Sequence, residues 1–360
     1  MNMKYKIVKY HPEFRSQVVE LQRHLWGPDV ALKSAYLEWK YERNPYVETP
    51  HIYLALCGGL VVGMRGMFGA KWQIGYPYQT FPGLCGADLV IAPDHRNRGL
   101  FRKILSAALD DLGNSSYTYT FNLSASEVTF LGCLAMGWRS IGSLQTMQRR
   151  SGDGLFSVSS AEKPHPFFWL DRNGGSWNEA SPYLSVEPNP RAEAMAELVE
   201  RIGGDGRMRH VRDQEYFAWR FQNPHSVYRF LFWKDARLEG YLVLRTSVYT
   251  DRLDRVGVRI VDWEATNAQV RADLLQAAIN WGNFDNLTIW SATLPDKVKT
   301  LLQMTGFKQL GGEGNLTRSL PTVLIRPIRD EMLRGDWVLA DRRLLDSANW
   351  DLRMIYSDGN

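Results

Sequence analysis

The chain has 360 residues, 44% hydrophobic and 23% charged, a composition that excludes both a disordered chain and a membrane-embedded one. Its formal charge of +4 and pI near 8.8 suit an anionic small molecule and fall short of a nucleic-acid footprint. Cys57, Cys85 and Cys133 are odd in number and widely spaced, which excludes a disulfide framework and a zinc site.

Along the chain, the opening MNMKYKIVKYHPEF lacks the apolar core of a signal peptide. No run approaches the roughly 18 apolar residues of a membrane span. A cytoplasmic setting with no membrane partner is therefore expected. FRSQVVELQRHLW (14–26) predicts a helix. YLEWKYERNP (36–45) then leads into the apolar runs HIYLALC and LVVGMRGMF, joined at Gly58-Gly59, which read as a β-hairpin. A strand, GLCGADLVIA (83–92), and a helix follow. After them come a strand, YTYTFNL (117–123), a second helix and the step Met136-Gly137-Trp138.

Residues 151–190 are rich in Pro, Gly and Ser and predict an irregular connection. Beyond it the order begins again. RAEAMAELVERI (191–202) predicts a helix, and YFAWRFQNP (216–224) answers YLEWKYERNP. Tyr36, Trp39, Lys40, Tyr41, Asn44 and Pro45 pair with Tyr216, Trp219, Arg220, Phe221, Asn223 and Pro224, with one residue fewer in the second copy. A second hairpin (YRFLFW and GYLVLRTSVY), a strand (RVGVRIVDWEA), a helix, a strand (LTIWSAT), a helix and Thr305-Gly306-Phe307 complete the echo. The expected fold is α/β, with two mixed sheets flanked by helices. Its units span 1–150 and 191–328, joined by 151–190. PTVLIRPI reads as a last strand, and 329–360 as an extension packed across another part of the surface.

The chemistry is concentrated in GADLVIAPDHRNRGLFRKILSAALDDL (86–112). A strand stops at Pro93-Asp94, and a basic loop, His95-Arg96-Asn97-Arg98-Gly99, precedes a helix. Its apolar face is Leu100, Ile104, Leu105, Ala108, Leu109 and Leu112. A helix start gathers unpaired N–H groups and the positive end of the helix dipole, so phosphate binds well there. Gly99 lets backbone approach an anion without a Cβ. Arg96, Arg98, Arg102 and Lys103 add positive charge.

This segment resembles the GNAT acyl-CoA transferases. Their loop of the form Arg/Gln-x-x-Gly-x-Gly/Ala holds the pyrophosphate of coenzyme A, and the edge of the preceding strand pairs with the pantetheine arm. Arg96-Asn97-Arg98-Gly99-Leu100-Phe101 matches that loop, with Phe101 where the family has a small residue. The resemblance implies binding of acyl-CoA as co-substrate by these six residues and by the strand edge at Val90, Ile91 and Ala92. Asn122, Ser124 and Ser126 are implied partners of pantetheine, or else turn residues. Asp88 lies where many members carry an acidic base, or else makes a structural hydrogen bond. Cys133 stands where many carry a tyrosine acid for the leaving thiolate, and core packing is the stronger reading for it. Trp72, Tyr76, Tyr78 and Phe81 read as an acceptor-pocket wall or as core.

The second copy has Trp263-Glu264-Ala265-Thr266-Asn267 at the loop, with no glycine or arginine, and Glu264 would repel pyrophosphate. The whole chain resembles tandem-GNAT acyltransferases, and among them bacterial sugar N-acyltransferases. What this implies is transfer of an acetyl or 3-hydroxybutanoyl group from acyl-CoA to a nucleotide-linked amino sugar. The acceptor would be one such as dTDP-3-amino-3,6-dideoxy-D-galactose, with no metal and no nucleic acid. The alternatives are an aminoacyl transferase of the peptidoglycan-bridge type and a non-catalytic acyl-CoA sensor.

Overall fold

A computed structural model describes residues 4–150, 182–247, 257–281, 284–310 and 322–357. Strand β1 (Tyr5–Lys9) precedes helices α1 (Arg15–Leu21), α2 (Arg23–Trp26) and α3 (Val30–Leu37). A π-helical turn over Glu38–Glu42 follows α3. Strands β2 (His51–Cys57) and β3 (Leu60–Ile74) form the expected hairpin. At its turn Gly58 and Gly59 take φ of +59° and +84°, values that only glycine holds without strain. Next come β4 (Gln79–Ile91), α4 (Leu100–Leu112), β5 (Tyr119–Ala125), α5 (Glu127–Leu134), β6 (Arg139–Ser143) and β7 (Thr146–Arg150). All six apolar positions read for α4 are buried.

The second half runs through β8 (Leu184–Glu187), α6 (Ala192–Ile202), β9 (Arg209–His210), α7 (Gln214–Arg220), β10 (Ser226–Lys234) and β11 (Leu238–Ser247). It continues with β12 (Gly257–Ala265), α8 (Ala268–Trp281), β13 (Asn286–Trp290), α9 (Asp296–Met304), β14 (Lys308–Gln309) and β15 (Thr322–Pro327). The strand β8 falls inside the segment expected to be irregular, where it pairs with β10. Residues 151–181 of that segment lie outside the described ones.

Among the described residues the strands form two large sheets. One has the order β1-β2-β3-β4-β5-β15-β6, with β9 on β3, and the other β14-β7-β13-β12-β11-β10-β8. The sheets exchange strands. Thr146–Arg150, read from the sequence with the first unit, pairs with β13 and β14 of the second sheet. Thr322–Pro327, read as the last strand of the second unit, sits between β5 and β6 in the first. The sheets therefore do not part at residues 150 and 328.

The repeat is visible as paired contacts. Trp39 and Trp219 stack with centroids 5.3 Å apart, and each indole N–H donates to the other's carbonyl at 2.9 Å. Asn44 Oδ1 accepts from the Tyr46 N–H at 2.8 Å, and Asn223 Oδ1 from the His225 N–H at 3.0 Å. Both glycine-aromatic steps are helix ends of one kind. Gly137 and Gly306 take φ of +82° and +88°, and the N–H groups of Trp138 and Phe307 return to Cys133 O and Leu302 O.

The C-terminal segment is not laid over the surface as expected. Trp350, Leu352, Met354, Ile355 and Tyr356 are buried in the core cluster shared by the two halves. Arg220 donates to the carbonyls of Ile355 at 2.5 Å and Ser357 at 2.7 Å. Burying a tryptophan and a tyrosine removes roughly 150–250 Å² each from water, which offsets the ordering of an irregular segment.

Candidate functional site

Strands β4 and β5 pair in parallel at two registers, Leu84 with Thr120 and Cys85 with Phe121. Beyond these they separate, so among the described residues β4 from Gly86 onward is hydrogen-bonded to β3 alone. A register shift against β3 between Met64 and Gly66 places a bulge at Asp88-Leu89 on β4, and Asp88 takes φ of +46°. The result is a split in the sheet whose β4 wall has an unpaired backbone edge.

The split leads to the basic loop. Pro93–His95 form one 3-10 turn, with Asn97 at φ +60° and Gly99 at φ +69° before α4 begins. Gly99 is the N-cap, and no side chain caps the first turn of α4, which leaves those N–H groups to solvent or a ligand. A Cβ on Gly99 would meet nothing within 4 Å, so the face before the helix is open. Arg96 Nε donates to Ile91 O at 3.1 Å, folding the loop back on the strand, and Arg98 reaches Asp94 O at 3.4 Å. His95 is held from β1, its Nδ1 at 3.0 Å from the Tyr5 hydroxyl.

The other residues read from the sequence have separate positions. Val90 and Leu100 are buried, so what they offer a ligand is backbone. Ile91, Ala92, Arg96, Asn97, Arg98 and Gly99 line the strand end and the loop. The ring of Phe101 packs on Gly132 of α5, where a Cβ would come within 2.6 Å. Its bulk therefore ties α4 to α5. Asn122 is buried on β5, opposite Leu324 of β15. The Ser126 hydroxyl caps α5 towards Thr129. The side chain of Ser124 lies outside what is described.

Asp88 is engaged on the side of the sheet away from α4. Its Oδ2 accepts from Lys40 Nζ at 3.0 Å and from the Tyr41 hydroxyl at 2.6 Å, and the Lys40–Asp88 pair is almost wholly buried. Cys133 is buried, and burial pushes its thiol up, opposed by the nearby Arg65 guanidinium. The aromatic stripe does not act as one wall, and of its members Phe81 lines a cavity of about 230 Å³ with Tyr46, Ala70 and Lys71. Trp72 lies in the core against Phe121, His210 and Trp350, and Tyr76 is 86% exposed.

Arg65 was missed in the sequence. It lies on β3, 3% exposed, and its Nε and Nη2 have no hydrogen-bond partner among the described residues. A Cβ on Gly86 would come within 2.2 Å of its Nη2. The available signal was a lone arginine inside the apolar run LVVGMRGMF.

The matching place in the second half is filled differently. Strands β12 and β13 pair in parallel from Gly257–Asn286 to Arg259–Thr288 and then separate. The C-terminal segment enters this split. Arg353 donates to Asp262 at 2.8 Å and to the Trp263 carbonyl at 2.9 Å, and the Leu352 N–H donates to Thr293 at 2.8 Å. Glu264 does not present the bare charge that the sequence suggested. It pairs with Arg212 at 2.6 Å and with Arg353 at 2.7 Å. Burial would raise its pKa, but Arg353, Arg212 and Arg271 outweigh it and hold the carboxyl at about 2. A cavity of about 280 Å³ remains here, lined in part by Trp263, Arg271, Leu294 and Met354.

Among the described residues no group of His, Cys, Asp and Glu could hold a metal ion. No described helix is long and apolar enough to cross a membrane.

No family model and no curated protein sequence matches the chain. Solved structures do. A GCN5-related N-acetyltransferase from Anabaena variabilis is 14% identical, with a TM-score of 0.58 over 91% of this chain and 73% of that one. A probable N-acyltransferase from Enterococcus faecalis is 12% identical, with a TM-score of 0.59 over 90% and 73%. A tandem GNAT protein from the clavulanic acid biosynthesis pathway is 12% identical, with a TM-score of 0.52 over 91% and 99%. These likenesses establish the fold: α/β, with two large mixed sheets in the tandem GNAT arrangement.

Proposed function

We propose, for this tandem GNAT fold, an acyl-CoA-dependent N-acyltransferase whose co-substrate lies along the split between β4 and β5. The observation that carries the reading is the run from that split into the uncapped first turn of α4, with Gly99 at φ +69° and Arg96 and Arg98 beside it. The diphosphate of coenzyme A would take the N–H groups of Gly99, Leu100 and Phe101. The pantetheine arm would take the backbone edge at Val90, Ile91 and Ala92. The acyl thioester then lies near the bulge at Asp88-Leu89, where a primary amine attacks its carbonyl carbon and the C–S bond breaks.

For Asp88 we favour a structural part over that of base, because its Oδ2 already accepts from Lys40 and Tyr41. Holding amine and thioester together can itself supply much of the rate. The acceptor is proposed as a small primary amine, and the nucleotide-linked amino sugar is its first candidate. Chain length and duplication support that choice, and none of the structures compared carries it. A donor of acetyl or 3-hydroxybutanoyl type suits the same split.

The test is a thermal-shift panel of CoA, acetyl-CoA and 3-hydroxybutanoyl-CoA against nucleotide sugars with and without an amine. CoA esters should raise Tm alone, and amino sugars should raise it further in their presence. No shift with any CoA ester overturns the acyl-CoA reading. Shifts with CoA esters and none with amines favour the acyl-CoA sensor.

A further inference from the structure

The guanidinium of Arg65 is a buried cation whose Nε and Nη2 donors have no hydrogen-bond partner among the described residues. Burial alone pulls its pKa below the ordinary arginine range, opposed by Cys133, Tyr41 and Asp88. Desolvating a charge is costly, and a buried donor with no protein partner marks a place for a water, an ion or a ligand. The nearby carboxylate of Asp88 is paired with Lys40 at 3.0 Å and also acts on Arg65, so Arg65 does not have that carboxylate to itself.

Its position gives that charge a target. Nη2 lies against Gly86, the first residue of β4 past the last pairing with β5. A side chain at 86 would collide with it. On the other side, Arg65 acts on Cys133 of α5, the helix that follows β5. The guanidinium therefore lies against the β4 wall where its pairing with β5 ends, within electrostatic reach of Cys133 of α5, a thiol whose proton burial holds in place.

We propose that Arg65 supplies the positive charge that meets the electron pair arriving on the thioester sulfur, so that coenzyme A leaves as a thiolate without a side-chain acid. The inference rests on the acyl-CoA reading above. In the step, the amine nitrogen bonds to the acyl carbon, the C–S pair passes to sulfur, and the ammonium proton leaves to water. Arg65 transfers no proton. It stabilises the thiolate through a charge fixed before reaction, in surroundings where such a charge acts strongly.

The same charge should lower the pKa of the thiol of bound CoA, which can be read without knowing the acceptor. The full chain is saturated with CoA and titrated by thiolate absorbance. An identical titration with desulfo-CoA subtracts Cys57, Cys85 and Cys133. In the wild type the CoA thiol should titrate below free CoA. Arg65→Met should move it up by about one pH unit or more, and Arg65→Lys should keep it low. If Arg65→Met does not fold, Arg65→Gln, which keeps N–H donors and lacks the charge, replaces it with the same expectation.

A wild-type complex whose thiol titrates with free CoA overturns the proposal. So does a neutral variant that binds CoA with the wild-type titration. Absence of CoA binding to the wild type by calorimetry would instead overturn the acyl-CoA reading itself.

Discussion

The two halves answer the same geometry in opposite ways. Each has a parallel strand pair that separates after two or three registers, β4 from β5 and β12 from β13. In the first, the split ends at a helix start with a left-handed glycine and no capping side chain. In the second, α8 follows Thr266-Asn267, the Asn267 side chain accepts from the Val270 N–H at 3.0 Å, and the C-terminal segment bonds into the split. The paired residues of the repeat diverge with it. Lys40 holds Asp88 beside the first split, and Arg220 holds the carbonyls of the C-terminal segment. A duplicated fold can thus keep one cleft for a ligand and spend the other on its own chain.

The sharpest way to break this comparison is to remove one buried charge from each half. Arg353→Ala and Asp88→Asn should each destabilise by about 3–5 kcal/mol, because each removes a counter-charge from buried partners. Denaturant melts would show it. A variant Asp88→Asn with unchanged stability and kcat/KM lowered roughly 10²–10⁴-fold, less so at high pH, would make Asp88 the base after all. Glu264 adds a pH dependence. Its folded pKa, at about 2, lies below the ordinary 4.5, so its stabilisation is present above that value and is lost as pH falls towards 2. In Arg353→Ala the acid loss should be shallower, since less of that stabilisation remains to be lost.

A smaller change tests the ligand side. Gly99→Asp should weaken CoA binding by about tenfold or more, through the charge it places before the helix and the left-handed backbone it must hold. Thr266→Asp in the second half should leave CoA affinity unchanged. Calorimetry should count one CoA per chain in both the wild type and the latter. Two equivalent sites would erase the distinction between the halves.

The smallest effect belongs to the symmetric contact. Trp39→Phe and Trp219→Phe each remove one indole–carbonyl hydrogen bond and should cost about 1 kcal/mol apiece, nearly equally. The double variant should fall short of the sum, because the two rings share one stack. Unequal losses would mean that the pair is not an equivalent one.

What could be read in the sequence was what local patterning records. The face of α4, the Gly58-Gly59 hairpin, the glycine-aromatic helix ends and the Trp39–Trp219 correspondence are fixed by spacing over a few residues. The exchange of β7 and β15 was invisible because a short apolar strand carries no mark of its partner. Trp350 stands between Asn349 and Asp351, and the apolar run Met354-Ile355-Tyr356 is too short to name its partner, so nothing nearby foretells that they enter the core between the halves. Asp88 showed its place but not its occupation, since Lys40 and Tyr41 come to it from the π-helical turn. Arg65 was hidden by its neighbours, which made the whole run read as core.

The position of β15 also bears on how the chain is made. Ser143 on β6 pairs with Thr322 on β15, and β15 in turn joins β6 to β5. A ribosome adding about 5–20 residues per second needs about ten to forty seconds to pass from one to the other. For that interval the nascent first sheet has an unfilled place beside β5, with β6 unattached. Such an edge invites pairing with other chains. The first half is translated early and completed late, so its yield in a cell should depend on chaperones that shield β5 until the distant strand arrives.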